Sequence, residues 1–233
     1  MFDNNLRGMI DDVKDGRLDR RAFVKRMIAV GLTAPMANQI LSLGGVAMAQ
    51  SPNPYKPTKR GGGGPLKLLW WQGPTLLNPH FATGTKDQDG SRIFYEPLAS
   101  WDVDGHLNPI LAAEIPSIQN GGLSADAKSV TWKLKPGVKW HDGKPLSADD
   151  VVFTWEYASD PATAAVSIET YSGLTVEKID DLTIRINFKK PTPFWANAFV
   201  GGYGSIIPKH LFADYKGGKS REAPNNLKPV GTG

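Results

Sequence analysis

Cysteine is absent from the 233 residues, which excludes disulfides, thiolate metal sites and a lipid-modified cysteine anchor. Histidine is scarce. His80, His106, His141 and His210 fall in separate loops without metal-ligand spacing, so no zinc or nickel centre is expected from them. A strong excess of one charge is also missing: 27 Lys and Arg face 23 Asp and Glu. Residues 1–26 alone hold seven of the basic and five of the acidic residues. Nothing there calls for a nucleic-acid or membrane partner, and a high isoelectric point by itself is no argument for one. The four glycines at 61–64 precede neither Lys-Ser/Thr nor a helix pattern, which rules out a phosphate loop. What remains is ordinary globular composition, 40% apolar and 21% charged, enough for one or two domains with a sizeable core.

The longest uncharged stretch, Met27 to Gln50, is interrupted by Pro35, Asn38, Gln39 and Gly44-Gly45. It would make a poor membrane span, the competing reading of these residues. Just before it stands D-R-R-A-F-V-K, Asp19 to Lys25, close to the twin-arginine export consensus S-R-R-x-F-L-K. Arg20, Arg21, Phe23 and Lys25 are thus read as an export signal, with the twin-arginine machinery as partner. Ala47 and Ala49 form a small-x-small cleavage site that starts the mature chain at Gln50. Residues 1–49 are then the signal peptide, and a Pro/Gly-rich leader over 50–65 cannot build a core. Twin-arginine export moves folded proteins, so folding is expected to precede the crossing.

Val130 to Tyr157 reads as the organising stretch of the rest. Val130, Trp132 and Leu134 alternate with polar residues, the period of a half-buried strand. Pro136-Gly137 turns the chain, Val138 and Trp140 continue it, and Asp142-Gly143 makes a hairpin turn. Ser147 is an N-cap with Asp149 and Asp150 in the first helical turn. Val151, Trp155 and Ala158 form an apolar stripe, and Asp160-Pro161 ends the helix. Hairpins are expected around Asp104-Gly105 and Asp180-Asp181, and a short helix over 193–200 begins at Pro193. Leu66 to Trp71 has the continuous apolar character of a strand buried on both faces.

The Val130–Tyr157 block resembles the extracytoplasmic solute-binding proteins of family 5, the peptide, dipeptide and nickel receptors of ABC importers. L-A-A-E-I-P-S (Leu111 to Ser117), I-I-P-K-H (Ile206 to His210) and P-V-G-T-G (Pro229 to Gly233) match that family in order, and the resemblance spans roughly Leu66 to the end. It implies a mixed α/β fold: the first lobe of a two-lobe periplasmic-binding-protein type II architecture, carrying an extra, mostly antiparallel subdomain. It also implies a helix over 91–98 and a first strand whose following loop faces a ligand. Gln72, Gly73 and Thr75 in that loop, and Tyr203 among its glycines, are the candidate ligand contacts. The same residues also suit plain loop and packing roles.

The implied function is capture of a peptide or similar solute and delivery to a permease and ATPase, in the periplasm and with no cofactor. Residues 66–233 correspond to part of the first lobe. Half of the cleft wall is then missing, so negligible peptide binding, exposed apolar surface and poor stability are expected of this chain alone. His141-Asp142 beside Asp149-Asp150 is the most enzyme-like cluster, but turn and helix-start chemistry account for each of these residues. An exported enzyme or a stand-alone interaction module is the alternative of a different class.

Overall fold

The computed structural model describes residues 2–46, 64–65 and 67–233. The expected cleavage site at Ala47 and Ala49, most of the expected leader, and Leu66 lie outside these. The chain begins with three helices: α1 (Phe2–Lys14), α2 (Arg20–Ala29) and α3 (Ala34–Leu43). Asp19 caps α2 by accepting the Ala22 amide at 3.3 Å, satisfying one of the amides a helix start leaves open. Ile10, Phe23, Met27, Ala37 and Leu41 close a small apolar core among the three. Among the described residues no helix is long and apolar enough to cross a membrane.

The first correction concerns 66–71. Residues 67–71 form no strand, and Leu69 and Trp71 are 99% and 74% exposed. An apolar run becomes a buried strand only when neighbours pair with its backbone and cover both faces, and no described strand pairs with this one. A second correction concerns 91–98: the helix lies earlier, as α4 (Thr85–Ser91). Pro97 disfavours helical backbone at Glu96, and the chain instead turns at 92–94 and buries Tyr95 and Leu98.

β1 (Ala99–Trp101) and β2 (Leu107–Pro109) pair antiparallel. Asp102 ties the turn between them by accepting the amides of Asp104 and His106 at 3.0 and 2.8 Å. Gly105 sits there at φ +79°, which a side chain would make costly. β3 (Ser129–Lys133) follows, then the hairpin over 138–146, closed by Trp140 N–H to the Lys144 carbonyl and Leu146 N–H to the Val138 carbonyl. Asp150 accepts the Ser147 amide at 3.0 Å and starts α5 (Ala148–Ser159). The buried face of α5 is wider than the expected stripe: Val151, Phe153, Thr154, Tyr157 and Ala158 are buried, while Trp155 is only half-buried.

The short α6 (Ile168–Tyr171) leads into β4 (Leu174–Asp180) and β5 (Thr183–Phe188). The sheet order is β3-β5-β4, antiparallel throughout, with Val130 opposite Ile186 and Trp132 opposite Ile184. The alternation read in the sequence therefore puts Val130, Trp132, Ile184 and Ile186 on one buried face, where α5 covers them.

The expected helix over 193–200 is a third correction. Leu98 N–H donates to the Phe199 carbonyl and Gly201 N–H to the Ala99 carbonyl, drawing Val200 into a parallel bridge with Ala99. Pairing with β1 outcompetes the local helical preference, and Trp195 packs instead on Trp132, with ring centroids 5.9 Å apart. A short α7 (Lys209–Phe212) follows. The closing residues then fold back: Thr232 and Gly233 amides donate to the Phe94 carbonyl, and His141 Nε2 lies 2.7 Å from the Gly233 carbonyl.

Candidate functional site

Tyr203 stands in a single 3-10 turn, Gly202–Gly204, and is about half exposed. Two contacts hold it. Its carbonyl accepts the hydroxyl of buried Tyr171 at 3.2 Å, and its own hydroxyl accepts Gln88 Nε2 at 2.9 Å. Beside it opens a cavity of about 750 Å³, whose lining includes Trp101, Glu169, Lys189, Lys190, Asn197 and Tyr203. Amphipathic rings, a side-chain amide and charges of both signs meet there, on a floor of apolar residues such as Leu174 and Phe188. Such a mixture suits a polar organic solute held by a few directed contacts.

Thr75 is engaged differently. Its amide and hydroxyl both donate to Asp87, at 2.6 and 3.0 Å, and Lys86 Nζ lies 2.9 Å from the same carboxylate. Burial pushes the Asp87 carboxyl upward, but hydrogen bonds from Lys86, Thr75 and Leu76 outweigh it and hold the group below its ordinary range. Asp87 and Gln88 are consecutive in α4, so they project about 100° apart around its axis. One short helix thus fixes the 72–75 loop with one side chain and Tyr203 with the next. Gln72 and Gly73 are exposed at the loop tip.

The candidate contacts therefore fall into two groups joined through α4, and Tyr203 alone among them lines the cavity. Asp87, Gln88, Glu169 and the 189–190 lysine pair were not singled out in the sequence. Their importance comes from partners far along the chain, Gln88 to Tyr203 above all, and no local pattern signals it.

The enzyme-like cluster is taken apart by the fold. Asp142 pairs with His210 at 2.6 Å, and His141 holds the 231–233 segment. Asp149 pairs with Lys178 at 2.6 Å. Asp150 is buried, accepting the amides of Ser147 and Lys209 at 3.0 and 2.9 Å. Among the described residues no group of three or more His, Asp or Glu is arranged to hold a metal ion.

Residues 106–233 match the family model described as bacterial extracellular solute-binding proteins, family 5 Middle. The periplasmic oligopeptide-binding protein OppA of Escherichia coli K12 is 30% identical over 169 residues, 65% of this chain and 30% of OppA. The oligopeptide-binding protein AppA of Bacillus subtilis is 34% identical over 163 residues, 69% of this chain and 28% of AppA. The solved structure of B. subtilis AppA in complex with a nonapeptide superposes with a TM-score of 0.59 at 32% identity, covering 69% of this chain and 31% of that one. This chain therefore spans under a third of the length of the curated relatives it matches. The mixed α/β fold is that of part of a type II periplasmic binding protein, and the chain belongs to the bacterial extracellular solute-binding proteins of family 5.

Proposed function

We propose that this chain serves an ABC importer as the solute-capturing component, in the periplasm, binding a peptide or a similar solute and passing it to a permease driven by an ATPase. The observation that carries this reading is the open cavity beside Tyr203, on a fold shared with a protein solved around a nonapeptide. Extended peptides are best held by backbone-directed hydrogen bonds with roomy surroundings for varied side chains. Here Tyr203 and Asn197 offer such bonds, while Lys189, Lys190 and Glu169 offer charge to either terminus. Gln72, Gly73 and Thr75 lie outside this cavity; linked to Tyr203 through α4, they are assigned as further solute contacts.

Residues 1–49 act as the twin-arginine address and are removed after export, which places the mature protein in the periplasm without a cysteine-linked lipid. Deleting the gene is expected to abolish uptake of a class of labelled peptides by the host bacterium, with restoration by the wild-type gene and weaker restoration by Tyr203→Ala. Unchanged uptake across peptides of two to nine residues would overturn the assignment.

A further inference from the structure

Asn38 and Gln39, the polar pair that spoils the apolar run of the export segment, are both buried, each 3% exposed. Asn38 Nδ2 donates to the Gly105 carbonyl at 2.9 Å, and its Oδ1 lies 3.4 Å from both Nε and Nη2 of Arg20. α3 therefore seats directly on the β1–β2 turn. A Cβ at Gly105 would stand 2.9 Å from Asn38 Nδ2, so the tight turn is also what lets the helix approach.

The export motif is divided by the packing of α1, α2 and α3 on one another. In α2, Arg20, Phe23 and Met27 share one helix face: Phe23 and Met27 are buried and Arg20 is half-buried, touching Asn38. Arg21 and Lys25 share the opposite face and are exposed. α1 closes the far side, with Ile10 packed where Gly44 leaves no room for a side chain. A receptor that reads both arginines and the phenylalanine together cannot reach them while α2 lies in this position. Gln39 Oε1 is buried without a hydrogen-bond partner, a standing cost that weakens the docked state.

We propose that residues 2–46 form a closed three-helix cap that hides part of the export motif within itself and is seated on the folded domain by Asn38, which joins Arg20 to Gly105, so that this junction gates use of the signal. The gate rests on the twin-arginine reading of residues 20–25. Opening exposes Phe23 and the full arginine pair; closure keeps the precursor's apolar helices off other surfaces.

The lack of cysteine makes the test direct. In the purified full chain, a thiol reagent is expected to modify Ala37→Cys at least about tenfold more slowly than Lys25→Cys, as local protection requires. Adding Asn38→Ala should bring the two rates within about threefold. Equal rates without that change would overturn the closed cap. Hydrogen exchange over residues 20–43 of the unmodified chain gives the same readout if the cysteine variants fold poorly: protection supports the cap and free exchange overturns it.

In cells Asn38→Ala is expected to speed export several-fold. Increased exposure with unchanged export would overturn the gate while leaving the address intact. The address has its own control, Arg20→Lys with Arg21→Lys. Arrested export supports it. Continued export removes both address and gate, whatever the labelling shows about docking.

Discussion

Two tryptophan-bearing apolar segments meet opposite fates in this molecule. Val130, Trp132 and Leu134 are at most 2% exposed, because β5 pairs with β3 along its length and α5 covers the face they share. Leu68 to Trp71 are equally apolar, yet all four are exposed and no described strand pairs with them. Composition and periodicity describe what a segment can bury. Whether it is buried depends on neighbours brought from elsewhere in the chain, and the contrast separates these two conditions within one protein.

Breaking the packed half should have the largest effect. Trp132→Ala removes a fully buried ring that packs at a tilt against Trp195 and is expected to destabilise the fold by about 3–5 kcal/mol, read from urea unfolding. A loss below 1 kcal/mol would mean that this core is not the one holding the domain.

The same interior can be loosened by protons alone. His80 is fully buried between Tyr157 and Tyr171, with Nδ1 2.8 Å from Ser167 Oγ. Its Nε2 is buried without a hydrogen-bond partner. Burial lowers its pKa from 6.5 to about 4. The unfolded chain therefore takes up the proton first as pH falls, and stability present above 6.5 is lost progressively toward 4. The loss from this residue should be on the order of 2 kcal/mol at pH 5. Thermal unfolding from pH 7 to 4 is expected to show it in the wild type and to be flatter in His80→Gln; identical profiles would refute the assignment.

The unpacked half should hardly respond. Trp71→Ser is expected to change stability by no more than about 0.5 kcal/mol, while reducing dye binding and self-association measured by light scattering. A large destabilisation would show that the 67–71 run is held by the fold after all.

Legibility follows the same divide. The β3 strand, the Ser147 start of α5 and the turns at Asp104-Gly105 and Asp180-Asp181 could be read locally, because each is caused by residues within a few positions. The segment 193–200 could not. Its Pro-led apolar run favours a helix, but Leu98 and Ala99, about a hundred residues earlier, claim its backbone. For the candidate site, Tyr203 and Thr75 were visible as polar groups in glycine-rich loops. Their common support on Asp87 and Gln88 was not, since a side chain's distant partner leaves no mark on its own neighbours in sequence.

The seam where Thr232 and Gly233 meet the Phe94 carbonyl has an architectural consequence. Phe94 and Gly233 lie far apart along the chain, yet these bonds make them neighbours in space. A cut in the backbone just before Phe94 would still leave the two sides clasped, because His80 lies between Tyr157 and Tyr171 and Asn78 is bonded to Asn226.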